Sequence, residues 1–285
     1  MKRNVIQVAT CQFGEGEDVA RNAAYVRRLM AKAKARGADV AVFHEAALTG
    51  YPGAMGKADF TYLDWDEVRA ETESIMSLAK SLGLWVIVGS AHPLTGRHKP
   101  HNCLYAIAPD GRIADRYDKR FCTDGDLKVY SPGDHLTVFE INGVRCGMLI
   151  CYDVRFFELY RAYLKRGVQL MFHCFHNARH AEPGDNIWRV IMRPTLQGLA
   201  AANSMFVSAP NSAARHQCWP SVFITPDGRI ASSHRTNVAG LRLDTVDLKT
   251  KYYDAASAWR QRAMRGVLHS GALVKDSRSR NRKRL

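Results

Sequence analysis

The chain has 285 residues, 46% of them hydrophobic, and a formal net charge of +14. That is enough apolar material for a sizeable core. No apolar run approaches the ~20 residues a membrane-spanning helix needs, so no membrane association is expected.

Nothing between residues 1 and 275 resembles a linker, and a single domain is expected over 1–275. The segment 276–285 sets Arg278, Arg280, Arg282, Lys283 and Arg284 against Asp276. Such a like-charge block reads as a disordered, solvated tail. The N-terminus enters a strand pattern directly and lacks the apolar stretch of a signal peptide, so a cytoplasmic location is expected. The seven cysteines are odd in number and scattered, which argues against a disulfide framework. No Cys-x-x-Cys pair occurs, and no structural zinc is expected.

In chain order, Asn4 to Cys11 reads as a strand. A helix follows from Asp18 to Arg36, its apolar positions Val19, Ala23, Val26, Met30 and Ala33 spaced along one face and Gly37 closing it. Ala38 to Phe43 is a short strand ending at His44-Glu45. The Gly- and Pro-rich stretch 46–57 is a loop. Helix 65–82 and strand 84–89 come next, then a hairpin of 101–108 with 112–117. Residues 118–134 read as irregular. Leu136 to Glu140 and Val144 to Ile150 pair around Asn142-Gly143, a type I′ hairpin signal. A helix is expected from Val154 to Arg166, a strand from Val168 to Cys174, a helix from Ile187 to Ala202 and a strand from Ser204 to Ala209. A hairpin of 219–225 with 229–234 and a last strand 240–246 complete the pattern.

This βα alternation indicates an α/β fold. Pro109-Asp110-Gly111-Arg112-Ile113-Ala114 recurs letter for letter as Pro226-Asp227-Gly228-Arg229-Ile230-Ala231, each time in a hairpin after a βα series. Two similar halves, each a small sheet with helices on one face, could pack sheet to sheet as a four-layer α-β-β-α sandwich.

Three strand ends or post-strand loops carry a reactive group: Glu45, Lys119 and Cys151. Sites in open α/β sheets gather at such ends. Cys151 closes an apolar strand where a helix is expected, a position that lowers a thiol pKa and exposes the sulfur. A thiolate can attack an electrophilic carbon. A carboxylate can take the thiol proton and later activate water. An ammonium group and the backbone N–H of Tyr152 can hold the oxyanion. Taken singly, Cys151 reads equally as a buried small hydrophobe, and Glu45 or Lys119 as a solvated charge. A Cys–His dyad with His44, His173 or His176 is the rival arrangement. The spacing of His173, His176 and His180 loosely suits a metal, but it crosses a strand end rather than one helix face.

Three segments carry a family resemblance. His44-Glu45-Ala46-Ala47-Leu48-Thr49-Gly50-Tyr51, Arg116-Tyr117-Asp118-Lys119-Arg120-Phe121 and Cys151-Tyr152-Asp153-Val154-Arg155-Phe156-Phe157-Glu158 resemble, in order, the Glu, Lys and Cys signatures of the nitrilase superfamily of carbon–nitrogen hydrolases. The resemblance implies a Glu45–Lys119–Cys151 triad, an α-β-β-α sandwich, no cofactor, a small-molecule substrate and a homo-oligomer. It implies hydrolysis of a small amide or N-carbamoyl compound through a thioester, with a nitrilase as the close alternative. A non-catalytic polyanion-binding protein is the reading of a different class, and no RNA-binding aromatic motif supports a nucleic-acid partner. Asp153, Arg155 and Glu158 are implied to be supports of the elbow around the nucleophile. Asp126 stands where many amidases carry an auxiliary Glu. Phe157 replaces the usual Pro of the elbow, and Ala202 replaces a Glu before Asn203. Tyr51, His176 and Asn177 are candidate substrate contacts, and Tyr152, Phe121, Phe175 and Trp219 are candidate pocket aromatics.

Overall fold

A computed structural model describes residues 4–178 and 187–283. The chain divides into two compact units, Met1–Tyr253 and Asp254–Leu285. The second unit holds two short helices, α6 (Arg260–Met264) and α7 (Ser277–Arg280), neither of which buries a side chain.

The first unit contains two six-stranded sheets. In one, β1 (Val5–Gln12), β2 (Val40–Val42) and β3 (Trp85–His92) run parallel. Antiparallel β12 (Gly240–Asp247) flanks β1, and the hairpin β4 (His101–Ile107) and β5 (Ile113–Asp118) flanks β3. In the other sheet, β7 (Val144–Ile150), β8 (Leu170–Cys174) and β9 (Phe206–Ala209) are parallel. Antiparallel β6 (Val138–Ile141) lies beside β7, and the hairpin β10 (Val222–Ile224) and β11 (Ile230–Ser233) beside β9.

The period of two along β1 assigns its faces. Ile6 and Val8 join Val42, Ile87, Met148, Ile150 and Phe172 in the core between the sheets. Ala9 and Cys11 point the other way, into a core shared with Val26 and Met30 of α1 (Val19–Ala35) and Ile75 and Ala79 of α2 (Trp65–Leu82). The helices α4 (Phe157–Lys165) and α5 (Ile187–Asn203) supply Leu159, Tyr160, Met192 and Leu196 to the second sheet. The result is the expected α-β-β-α sandwich. Thr10 and Ser208 hydroxyls meet at 2.8 Å between its sheets.

The six-letter repeat has a physical cause. Its copies join β4 to β5 and β10 to β11, equivalent places in the two halves. Gly111 and Gly228 both have φ +83°, in the left-handed region that favours glycine. A Cβ at Gly111 would lie 3.0 Å from the Met76 carbonyl oxygen of α2, and one at Gly228 would lie 2.9 Å from that of Gln197 on α5. Each hairpin therefore needs a glycine both to turn and to rest on the corresponding helix.

Several boundaries differ from expectation, and two of them lie next to Cys151 and the strand that follows it. The helix expected from Val154 is split: residues Cys151–Arg155 form a 3₁₀ turn, and α4 begins only at Phe157. The strand expected from Val168 begins at Leu170, because the Val168 N–H is still engaged by the Tyr163 carbonyl at the helix end. The irregular stretch 118–134 also contains a single helical turn, α3 (Asp126–Val129).

Candidate active site

Glu45 lies three residues beyond β2, past its last paired residue, and is fully buried. The chain passes so close to β3 here that a Cβ at Gly89 would be 2.2 Å from the His44 carbonyl oxygen. Lys119 follows β5 directly, its N–H bonded to the Asn102 carbonyl. Cys151 follows β7 with φ 41°, a strained conformation for a residue with a Cβ.

These three ends converge. Lys119 Nζ donates to Glu45 Oε1 at 2.8 Å and lies 2.9 Å from Asp126 Oδ2, with 1% of the lysine side chain exposed. Asn102 Nδ2 donates to the same Glu45 oxygen at 2.7 Å, and the His176 backbone N–H donates to Oε2 at 2.8 Å. The Cys151 thiol faces the Glu45 carboxyl group closely enough for the two to interact electrostatically. Burial alone would push the Lys119 pKa down, but Glu45, Cys151 and Asp126 hold it well above its ordinary value. The ammonium stays charged.

The thiol behaves differently from the sequence expectation. Burial, then the facing Glu45 carboxylate, push the Cys151 pKa well above 9.0, against the pull of Lys119. The dipole of α4 does not act on it, because that helix starts six residues later. The resting nucleophile is a neutral thiol beside a base.

Asp153 fastens the elbow. It accepts hydrogen bonds from the Ile150 and Phe121 N–H groups at 3.0 and 2.9 Å and from the Tyr117 hydroxyl at 2.8 Å, tying the cysteine turn to the lysine loop. Burial raises its pKa to about 6. Arg155 instead stacks its guanidinium over Trp188, 4.6 Å from the ring centroid, and Glu158 is exposed.

Asp126 is buried with Lys119 and accepts a short hydrogen bond from the Tyr51 hydroxyl. Burial opposes ionisation, but Lys119 and Tyr51 hold the carboxyl below its ordinary range. Tyr51, Lys119, Cys151, Tyr152, His176 and Asn177 all line one cavity of about 250 Å³. Phe121, Phe175 and Trp219 do not. Phe175 and Trp219 pack edge to face in the core, and Phe121 stacks on Phe156. Trp188, Met192 and Arg155 also line the cavity. Nothing in the sequence distinguished those three from ordinary packing or support residues.

The histidines of the rival dyad are engaged elsewhere: His44 Nδ1 lies 3.0 Å from the Glu45 carbonyl oxygen, and His176 Nε2 lies 2.7 Å from Glu15 Oε1. His173 Nε2 lies 3.3 Å from the Cys151 carbonyl oxygen, not at its thiol, and Nδ1 lies 2.9 Å from the Tyr160 hydroxyl. Burial drops its pKa to about 3, so the imidazole is neutral. Among the described residues no group of three His, Cys, Asp or Glu side chains is placed to hold a metal, and His180 lies outside them. Sequence reasoning missed Asn102 and Glu15, the latter a carboxylate 2.7 Å from His176 Nε2 with 3% of its side chain exposed.

The carbon–nitrogen hydrolase family profile matches residues 7–252. The chain belongs to the carbon–nitrogen hydrolase family. This hydrolase is similar to the omega-amidase NIT2 of Danio rerio, with 27% identity over 79% of this chain and 83% of that one. It is also similar to the deaminated glutathione amidase of Yersinia enterocolitica, with 27% identity over 62% of this chain and 67% of that one. Its fold matches a nitrilase-superfamily amidase from Nesterenkonia sp. AN1, with a TM-score of 0.75 and 21% identity over 92% of this chain and all of the other. A variant of that amidase carries the acetamide moiety of fluoroacetamide on its active-site cysteine, and another was solved with butyramide. The hydrolase is an amidase-like enzyme with the Glu–Lys–Cys triad of its family.

Proposed function

We propose that the enzyme hydrolyses a small linear amide through a thioester on Cys151. The observation that carries this reading is the fully buried Glu45 carboxylate, bonded to the Lys119 ammonium and facing the Cys151 thiol, with Lys119 and Cys151 both on the wall of one cavity.

Glu45 takes the thiol proton as sulfur attacks the amide carbon. The carbonyl oxygen becomes an oxyanion held by Lys119 and the Tyr152 N–H. Collapse breaks the C–N bond, and the proton on Glu45 passes to the departing nitrogen, which leaves as ammonia or an amine. Water then enters, Glu45 takes its proton, and attack on the thioester releases the acid and restores the thiol. A pKa above the ordinary thiol range suits this sequence, because deprotonation coincides with attack. Asp126, fixed by Tyr51 and the Thr123 N–H, keeps Lys119 oriented. His176 and Asn177 contact the substrate.

The amidase relatives and the butyramide complex of the Nesterenkonia enzyme support a small amide. Arg155 also lines the cavity, and its guanidinium, stacked on Trp188, suits a carboxylate elsewhere on the substrate. Ammonia release is to be measured over paired amides with and without a distal carboxylate. The acidic amides should react better, and Arg155→Leu should raise their KM about tenfold, equal to ~1.4 kcal/mol, while leaving neutral amides little changed. No release from any amide would overturn the reaction. Equal loss on both series would overturn the substrate class.

A further inference from the structure

Glu15 is assigned no part in the reaction, yet it lies under both halves of the site. It follows β1 in the loop Phe13-Gly14-Glu15-Gly16, and 3% of its side chain is exposed. Its Oε1 is 2.7 Å from His176 Nε2, and its Oε2 accepts from the Ser212 hydroxyl at 2.6 Å. On the other side, His44 Nε2 lies 3.4 Å from Oε2, within ion-pair range but off the hydrogen-bond direction.

The two histidines occupy matching places. His44 is two residues beyond β2, and His176 is two residues beyond β8, the corresponding strand of the other half. Each also reaches Glu45. His44 Nδ1 lies 3.0 Å from the Glu45 carbonyl oxygen, and the His176 N–H donates to Glu45 Oε2. The His176 ring stacks on Tyr51, with centroids 5.1 Å apart and 9° between planes. Tyr51 in turn donates to Asp126, which holds Lys119. One carboxylate thus stands behind the base by one route and behind the ammonium by another.

We propose that Glu15 is a positioning residue of this enzyme: by pairing with His176 it fixes the segment that orients Glu45 and the Tyr51–Asp126 contact that orients Lys119. This rests on the reaction proposed above. The pair is worth more than its own contact because reaction rates fall about 10²-fold for misplacements near 1 Å. Glu15 does not itself line the substrate cavity, so its action through Glu45 and Lys119 falls on the chemical step, and only its action through the cavity-lining His176 ring falls on substrate binding.

The test compares the wild type, Glu15→Gln, His176→Phe and the double variant. It measures kcat and KM on a reactive amide, and the rate at which iodoacetamide alkylates Cys151. Iodoacetamide is small and reports the thiol and its base without the rest of the pocket. Glu15→Gln should lower kcat and the alkylation rate at least tenfold, a larger change than in KM, and the double variant should lose no more than the worse single one. If Glu15→Gln does not fold, Glu15→Asp keeps the charge on a shorter arm and should show a smaller loss of the same kind. A folded variant with unchanged kcat and alkylation would overturn the proposal, as would losses that multiply in the double variant. Wild-type turnover that persists in Cys151→Ala would instead overturn the reaction and leave the role of Glu15 to the alkylation assay.

Discussion

Lys119 Nζ and Glu45 Oε1 are joined at 2.8 Å with 1% of the lysine and none of the glutamate side chain exposed. Their environment contains a second carboxylate, Asp126, 2.9 Å from the same ammonium. One cation therefore lies between two buried carboxyl groups, and removing it leaves both without their shared partner. Lys119→Met should lower the melting temperature, because breaking a buried pair costs about 3–5 kcal/mol. It should also lower kcat by about 10²–10³, the effect of losing an oxyanion donor. Thermal unfolding and ammonia-release kinetics on the same sample check both. Asp126→Asn, added to Lys119→Met, should restore part of the stability and none of the activity.

Much of this site was legible in the sequence. Glu45, Lys119 and Cys151 each follow a run whose apolar pattern marks a strand, and strand ends at one edge of a sheet converge. The repeated Pro-Asp-Gly turn marked the two halves. The thiol was misjudged because its environment is tertiary. Whether a helix or a 3₁₀ turn follows Cys151 depends on Asp153 binding the Ile150 N–H and the lysine loop, which no local pattern shows. Glu15 was missed for a related reason. In Gly14-Glu15-Gly16-Glu17 it looks like a solvated loop carboxylate, and only folding sets it between two histidines contributed by different sheets.

Gly111→Ala and Gly228→Ala should destabilise by similar amounts, about 1–3 kcal/mol each from the strained backbone conformation. Both carry φ +83°, and both would press a Cβ against a helix carbonyl at about the same distance. Chemical denaturation of the two variants measures this. A large asymmetry would show that the two hairpins, despite identical letters, are held differently.

Acid should weaken the fold through Glu15. Burial pushes its carboxyl up, but His176 and His44 pull it down to about 2, from an ordinary value of 4.5. A depressed carboxyl pKa gives stability that is present above pH 4.5 and lost as pH falls towards 2. His176 is the opposite case. Burial opposes its charge, but Glu15 raises its pKa above 6.5, so its contribution is complete below that pH and lost as pH rises through the raised value. Glu15→Gln should therefore lower the melting temperature at pH 6, and the gap to the wild type should narrow between pH 4.5 and 2. Calorimetry across that range measures the gap, and a gap that stays constant would show that the carboxylate is not ionised in the fold.

The proposed reaction passes through a covalent intermediate on Cys151. The direct measurement is mass spectrometry of enzyme quenched in acid during turnover of an amide, followed by mapping of the peptide that carries Cys151. An added acyl mass is expected on that cysteine, present only with substrate, absent in Cys151→Ala, and increased in Glu45→Gln if deacylation slows more than acylation. Steady ammonia release from Cys151→Ala at the wild-type rate would contradict it.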